Sequence, residues 1–218
     1  MTGRWGHPSQ PPSAALRLYG RRVMLRPLVN SDWSEWREVR QRNEEWLTRW
    51  EPLRPSHLLD PTRDRDAFSA RCHARERDRQ TGIAFGFGVF VGDDPSEPLR
   101  DQHFAGEVNL NGIVRGAQQC GTIGYWIDEA RAGNRYIAEA VVVLAKFAFE
   151  QLMLHRLEIC IVPRNRNSRR VMEVLEIREE GIAKGFLEIN GEWEDHMRYG
   201  ILLEEWEARR AELSARWF

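Results

Sequence analysis

The sequence lacks a long hydrophobic run, a signal-peptide pattern and an excess of either charge. No stretch reaches the roughly 18 apolar residues that indicate a transmembrane helix, so we expect no membrane partner. The N-terminal stretch is polar and proline-rich, without the apolar segment of a signal peptide, which favours a cytoplasmic protein. The formal net charge is −1, and this balance gives no overall basic field for direct nucleic-acid binding.

Cysteine is scarce and irregularly spaced. The three cysteines, Cys72, Cys120 and Cys160, form no CxxC pair. We therefore expect no metal site and no disulfide framework, and interpret the cysteines as reduced thiols that fill space in the core.

Apolar residues make up 42% of the 218 residues and charged residues 30%, which is typical of one globular domain. The hydrophobic periodicity predicts the order β-α-α-β-β-β-α-β-α-β-β with a charged C-terminal helix, a mixed α+β fold. We predict a flexible tail over residues 1–18, a folded domain over 19–206 and a helical extension over 207–218. The three central strands are expected to form an antiparallel meander.

The predicted element boundaries follow from changes in the hydrophobic periodicity, from helix-capping residues and from prolines. The predicted strands are Val23–Leu28, Ile83–Val91, Phe104–Val114, Thr122–Ile127, Leu157–Val162, Phe186–Ile189 and His196–Leu202. The predicted helices run from Trp33 to Trp50, from about Asp64 to Arg79, from about Asn134 to Leu152, and through Val171 and Leu175 from a cap at Asn167 or Ser168. The predicted turns are 92–95, which begins a long polar loop to Gln102, and Asn190-Gly191.

One strand–loop–helix junction has the pattern of an anion site. The strand Gly124–Ile127 leads through the loop Asp128–Gly133 into the long apolar helix. A helix N-terminus presents free backbone N–H groups and partial positive charge. Arg131 and Arg135 flank it, and a guanidinium binds phosphate through two hydrogen bonds. Taken alone, such a junction is more often an ordinary turn than a phosphate site.

Together with the order of elements, several motifs raise this interpretation, because the chain resembles the GNAT acetyltransferases, and within them the RimJ/RimL-type ribosomal-protein alanine N-acetyltransferases. The resemblance covers about residues 20–206 and is most specific from 121 to 200. The matching stretches are Leu25-Arg26-Pro27, Ile123-Gly124-Tyr125-Trp126-Ile127, Arg131-Ala132-Gly133, Glu139-Ala140, Leu154-His155-Arg156-Leu157-Glu158, the run Val162 to Val171 with Asn165 and Ser168, Arg178-Glu179-Glu180-Gly181, and Leu187 to His196.

The resemblance implies a single-domain fold, a mostly antiparallel twisted sheet flanked by helices, with two central strands splayed around acetyl-CoA. It implies that Tyr125, Trp126 and Ile127 line the pantetheine arm. The pyrophosphate would be held by Arg131, Ala132, Gly133, Asn134, Arg135 and Tyr136. Asn165 would bond a pantetheine amide, and Ser168 would protonate the leaving thiolate.

The implied acceptor is a protein N-terminal α-amine, with ribosomal protein S5-like alanine as its type. Two alternatives stay open: a small amine acceptor, or a weakened or non-enzymatic CoA-binding relative. The chain is expected to be a monomer or homodimer. Acetyl-CoA titration separates the third reading from the others, and a panel of peptides and small amines separates the first two.

Two departures from the family pattern motivate the third reading. Arg135 and Glu176 stand where the family usually has glycine. If the glycine before the long helix serves a positive φ, arginine impairs binding; if that residue already lies in the first helical turn, arginine is tolerated. The second interpretation is favoured. Glu176 is expected to strain the end of its helix or to lengthen it.

The candidate general bases are Glu107, which is expected to face the groove between the sheet and the early helices, and Asp195 or His196 near the last turn. Each also has a structural interpretation: a solvated strand residue, a loop-orienting surface pair and a hydrogen-bonded histidine. His155 is expected to pair with a helix dipole or to pack. The tryptophans of the first helix are core residues by default, although the resemblance places Trp46, Trp50, Glu51 and the loop Pro52–Leu59 in the wall of an acceptor groove.

Overall fold

The computed structural model describes residues 16–92 and 102–218, which form one eight-stranded sheet with helices on both faces. The strands are β1 (Leu18–Tyr19), β2 (Val23–Arg26), β3 (Phe85–Val91), β4 (His103–Val114), β5 (Cys120–Ile127), β6 (Arg156–Ile161), β7 (Arg178–Ile189) and β8 (Glu192–Leu202). The helices are α1 (Trp33–Arg42), α2 (Glu44–Thr48), α3 (Arg65–Thr81), α4 (Tyr136–Glu150), α5 (Arg166–Leu175) and α6 (Leu203–Trp217).

The strand order is β1-β2-β3-β4-β5-β6-β8-β7. The pairs from β1 to β5 are antiparallel, so the predicted meander of the central strands is confirmed. β5 and β6 are parallel and are joined by a crossover through α4, as parallel neighbours require. The mixed α+β fold predicted from the sequence is therefore confirmed.

Helix α4 is the centre of the larger core. Thirteen of its residues are buried, because it is apolar around most of its circumference and lies between the sheet and the helices α5 and α6. Its buried Glu139 accepts hydrogen bonds from the backbone N–H groups of Arg22 and Val23 and pairs with the Arg22 guanidinium at 2.9 Å. This ion pair fixes the N-terminal half of α4 against β2.

A second, smaller core lies on the opposite face of the sheet. It joins α1 and α3 to the strands through Met24, Trp36, Val39, Phe68, Cys72, Phe90 and Phe104. Trp36 therefore has the core role expected by default, and the buried Cys72 fills space as predicted.

The predicted single helix from Trp33 to Trp50 is wrong. The helix is interrupted at Asn43, between the end of α1 and the start of α2. The buried Asn43 side chain donates to an oxygen of Asp128 at 2.7 Å. The partner lies far away in sequence, so no local pattern reveals the break.

Three smaller differences concern element ends. β7 begins at Arg178 rather than near Phe186, because it is a mostly exposed edge strand with little apolar alternation. Asn165, not Asn167 or Ser168, caps α5. Leu16 and Leu18 of the predicted tail are buried, whereas residues 1–15 and the predicted turn and loop over 93–101 lie outside the described residues.

The predicted turn at Asn190-Gly191 is confirmed as the link between β7 and β8, with positive φ at both residues. Among the described helices, none is both long enough and apolar enough to cross a membrane.

Candidate functional site

A wedge-shaped gap separates β5 from β6. The two strands pair only where Cys120, Gly121 and Thr122 face Arg156, Leu157 and Glu158. Beyond that point β5 continues to pair with β4, and β6 continues to pair with β8. Within the described part of the chain, the edge of β5 from Ile123 to Ile127 therefore has no strand on the β6 side. Apart from the Ile127 carbonyl, which accepts a hydrogen bond from Trp46, the backbone groups of this edge are available to a ligand.

The predicted pantetheine residues lie on both faces of β5. Tyr125 and Ile127 pack against the core around α4, whereas Trp126 packs on Phe104 with ring centroids 5.6 Å apart. The Arg40 guanidinium lies 5.0 Å from the Trp126 ring centre on that same face. Side chains alternate along a strand, so only Tyr125 and Ile127 share the α4 side of the gap.

Tyr125 bridges the gap to α5. Its phenol donates to the backbone carbonyl of Ser168 at 3.1 Å, and burial raises the pKa of Tyr125 well above its usual value. Asn165 accepts from the backbone N–H of Ser168 at 3.1 Å through its side-chain oxygen. The structure thus brings Tyr125, Asn165 and Ser168 together at one end of the gap, and the Ser168 hydroxyl is not used in either bond.

The loop before α4 collects backbone donors. Among the described residues, no acceptor takes the N–H groups of Gly133, Ile137 or Ala138, and the α4 dipole points the same way. Gly133 has a φ of 83°, and nothing lies within 4 Å of the place where a Cβ would stand. Arg131 donates to the carbonyl of Gly92 at 3.1 Å, and Asn134 to the carbonyl of Arg131 at 3.2 Å. Ala132 is exposed.

Arg135 is not in the first helical turn, and the favoured interpretation of this position is wrong. It is the N-cap residue of α4 with a φ of 64°, the left-handed region that favours glycine. Its side chain is exposed. Glu176 has a φ of 54° at the C-cap of α5, so it strains the cap rather than lengthening the helix, the first of the two expectations. Tyr136 has a buried side chain, so only its backbone faces the loop.

Asp128 connects the gap to the first helices, a connection that the sequence did not reveal. Its buried carboxylate accepts from Arg42 at 2.5 Å and from Asn43 at 2.7 Å, while Asn43 accepts from the N–H of Glu129 at 2.9 Å. Burial alone would raise the pKa of Asp128, but the bond from Arg42 and then that from Asn43 lower it below the usual value. Trp46 adds a bond to the carbonyl of Ile127 at 3.2 Å.

Glu107 faces the early helices, as predicted, but it is not a solvated residue. Its carboxylate is 4% exposed, accepts from the Trp36 indole at 2.7 Å and pairs with Arg71 at 2.5 Å. Burial opposes ionisation, yet the charge of Arg71 and the bond from Trp36 lower the pKa of Glu107. A carboxylate with both oxygens occupied and a lowered pKa is a weak proton acceptor.

The other predicted candidates have structural contacts. His196 is buried with its Nδ1 3.0 Å from the carbonyl of Glu194, and Asp195 accepts from Lys184 and from the N–H of Gly185. The exposed His155 pairs with Glu204 at 3.2 Å at the start of α6. His196 and Asp195 therefore have the structural roles stated for them as alternatives, whereas His155 forms a side-chain contact with Glu204 instead of the packing or helix-dipole pairing expected for it.

The segment predicted as an acceptor wall contacts the β7–β8 hairpin. The carbonyl of Glu51 accepts from the N–H of Asn190 at 2.9 Å, and its carboxylate pairs with Arg40 at 2.7 Å. The Arg164 guanidinium lies 4.7 Å from the ring centre of Trp50 and pairs with Glu194. Glu51, Asp128 and Glu194 are therefore each neutralised by an arginine.

The gap and the loop fit one long ligand with an amide-bearing arm and a phosphorylated end. The unpaired edge of β5 offers backbone partners to amides, and the donors before α4 with Arg131 and Arg135 suit phosphate oxygens. Pantetheine joined to a pyrophosphate, as in coenzyme A, has this chemistry.

Comparisons with known proteins agree with this geometry. The family described as "Acetyltransferase (GNAT) domain" matches residues 22–178. The chain is 32% identical over 185 residues to "Probable N-acetyltransferase YjcK" of Bacillus subtilis, covering 85% of this chain and 96% of that one. It is 27% identical to the "[Ribosomal protein uS5]-alanine N-acetyltransferase" of Escherichia coli, covering 88% and 93%. The structure "Mycobacterium smegmatis RimJ in complex with CoA-disulfide" is similar with a TM-score of 0.80 at 26% identity, covering 97% and 99%.

Proposed function

The chain belongs to the GNAT acetyltransferase family and is an acetyl-CoA-dependent N-acetyltransferase, and from this premise we propose that it acetylates the N-terminal α-amine of a protein, with a ribosomal protein that begins with alanine as the substrate type. The curated relative from Escherichia coli, matched over most of both chains, supports this choice of acceptor. We assign the 51–59 segment, which contacts the β7–β8 hairpin at Asn190 and Gly191, to the wall of the peptide site.

The observation that carries the proposal is the bond between Tyr125 and Ser168. It bridges the β5–β6 gap at 3.1 Å through the backbone carbonyl of Ser168, which supports a role for the Ser168 hydroxyl at that end of the gap. We assign the edge of β5 at Tyr125 and Ile127 to the pantetheine arm, and the backbone of residues 131–136, with the Arg131 and Arg135 side chains, to the pyrophosphate. Asn165 positions Ser168 through the cap of α5.

Acetyl-CoA, when bound, supplies the activated acetyl group. The residues of this chain then hold the two reactants together, the main contribution to such a transfer. The Ser168 hydroxyl donates its proton to the departing sulfur. Glu107 does not act as the base in this proposal, because Arg71 and Trp36 occupy it; it fixes α1 and α3 against β4. The proton of the amine passes to water in the groove, and water returns a proton to the Ser168 oxygen, so the hydroxyl is restored at the end of the cycle.

A peptide panel tests the acceptor. Short peptides that begin with alanine, serine or proline, each with a free and a blocked α-amine, are compared with polyamines and single amino acids by CoA release. We expect turnover of the free-amine alanine peptide and none of its blocked form. Turnover of small amines alone would contradict the proposed acceptor while leaving the acetyltransferase activity intact.

A further inference from the structure

A large cavity rich in arginine lies beside Glu107 on the α3 face of the sheet. Its volume is about 860 Å³, and five arginines and two glutamates line it. Three of the arginines have carboxylate partners: Arg26 pairs with Asp32, Arg71 with Glu107 and Arg79 with Glu76. The charges of this cavity are therefore only partly balanced, and the excess is positive.

Arg75 is the partly buried arginine of this cavity that has no carboxylate partner among the described residues. Its one hydrogen bond goes to the side-chain oxygen of Asn111 on β4 at 3.2 Å. Burial and then the charge of Arg71 lower the pKa of Arg75, and the charges of Glu107 and Asp78 only partly oppose this. A guanidinium in this position has free donors for an anion.

A second unsatisfied group lies next to it. The side-chain oxygen of Asn109 is buried and takes no hydrogen bond from the described chain. Gly86 makes room for both groups, since a Cβ there would lie 3.0 Å from that oxygen and 3.2 Å from Cδ of Arg75. Buried polar atoms are rarely left without partners, so the wall of the cavity behind Arg75 is incompletely satisfied. An anionic ligand would supply the partner that the Arg75 guanidinium lacks.

The site adjoins the strand that borders the gap. Asn109 and Asn111 pair with Gly124 and Thr122 of β5, and Thr122 is the last residue of β5 that pairs with β6. Adjacent strands lie about 4.8 Å apart, so these asparagines are one strand from the edge of the gap. Gly124 has no side chain, and the nearest atom to its missing Cβ is the Asn111 amide at 3.8 Å, so no side chain of β5 stands over this asparagine at Gly124.

We propose that this cavity binds a carboxylate or phosphate group of the acceptor, with Arg75 as the anion ligand. This inference rests on the proposed function for the amine, and it adds that the amine belongs to an acidic molecule.

Matched peptides test the charge preference. Peptides that begin with alanine carry aspartate or asparagine at position two, three or four and are otherwise identical. We expect the aspartate peptide to have a KM at least about tenfold lower at one position, the effect of one charge-assisted bond. The Arg75→Gln and Arg75→Met variants should lose this preference. Arg77→Gln, which removes an exposed arginine from the same helix, should keep it.

Direct anion binding is measured with inorganic phosphate and acetate while saturating CoA occupies the pyrophosphate loop. Both anions should raise the Tm of the wild type and of Arg77→Gln, but not of Arg75→Gln, and the larger shift shows whether phosphate or carboxylate fits better. Circular dichroism and an unchanged acetyl-CoA Kd confirm that the variants are folded.

The outcomes separate this inference from the proposed function. Two results would overturn the anion site without contradicting the peptide acceptor. One is turnover of alanine peptides without any charge preference, and the other is a charge preference that survives in Arg75→Gln. Turnover of small carboxylate or phosphate amines alone, with a KM that depends on Arg75, would support the anion site and contradict the peptide acceptor. Equal Tm shifts in all variants would overturn the anion site whatever the acceptor.

Discussion

Ser168 holds its neighbours through backbone atoms, which makes its hydroxyl separable from its structural role. Both the bond from Tyr125 and the bond to Asn165 involve the Ser168 main chain. Replacement by alanine therefore removes the proton donor and leaves the α5 cap and the closed end of the gap in place.

We expect Ser168→Ala to lower kcat by about 10² or more, the usual contribution of a positioned proton donor, with little change in the acetyl-CoA KM. Steady-state kinetics with saturating peptide measure this. Asn167→Ala, which changes the exposed neighbour in the same helix, is the control. An unaltered kcat in Ser168→Ala would remove this hydroxyl from the chemistry.

Arg135 combines a strained backbone with a charge at the proposed pyrophosphate site, and two variants separate the effects. Arg135→Gly and Arg135→Ala lose the same charge, but only glycine relaxes the φ of 64°. We expect Arg135→Gly to be more stable than Arg135→Ala by about 1 kcal/mol in urea unfolding.

Both Arg135 variants should weaken acetyl-CoA binding to a similar extent if the guanidinium contacts phosphate. Isothermal titration measures this. Tight binding retained in both variants would show that the backbone donors alone hold the pyrophosphate and that the side chain is dispensable.

The site residues predicted from local sequence patterns lie close together in the structure, whereas features that depend on distant parts of the chain differ from the prediction. A strand, a loop and a helix N-terminus are visible in the sequence around 124–136, and so is the Asn165–Ser168 element. The φ of Arg135 was misjudged, because an arginine by itself favours the right-handed region and only the path of the chain into α4 imposes the other.

At the scale of elements, the contact between α1–α2 and the end of β5 depends on one buried carboxylate. Asp128 joins Arg42, Asn43 and the turn at Ala130. Its pKa is lower in the folded protein than the usual value, so the ionised form stabilises the fold. This stabilisation is present above the unfolded pKa of about 4 and is lost as the pH falls through the folded pKa.

We therefore expect the free energy of unfolding of the wild type to exceed that of Asp128→Asn by a constant amount above about pH 5, and by less as the pH falls below about 4. Urea unfolding at a series of pH values measures the difference. Glu38→Gln, which removes an exposed carboxylate that also pairs with Arg42, is the control. A difference that grows on acidification would contradict the assigned direction.

Most helices and strands were predictable, because they follow from the hydrophobic periodicity and from helix-capping residues. The long apolar pattern of α4 and the alternation in β3, β4 and β5 gave the correct types and order. The break at Asn43 was missed because its cause is Asp128, 85 residues along the chain. The first two-thirds of β7, residues 178–185, was missed because an exposed edge strand needs no apolar alternation.

At the scale of the whole molecule, the two ends of the described chain meet around the main core. The carbonyl of Trp217 accepts from the N–H of Arg21 at 2.9 Å, and Trp206 stacks on Phe149 of α4 with ring centroids 5.8 Å apart. The predicted boundary between residues 206 and 207 falls inside α6, which continues to Trp217 without interruption. The last twelve residues therefore share the core of the preceding domain.

This arrangement predicts that the C-terminal segment is needed for folding. Leu213 and Trp217 are 7% and 3% exposed, and truncation of a buried tryptophan costs about 3–5 kcal/mol. We expect Trp217→Ala to lower the free energy of unfolding by that amount, measured in urea, whereas Glu207→Ala on the exposed face of α6 changes it by about 0.5 kcal/mol or less. Removal of residues 207–218 should leave no cooperative unfolding transition. A truncated chain that unfolds cooperatively and binds acetyl-CoA as tightly as the full chain would show instead that this segment is a separable extension.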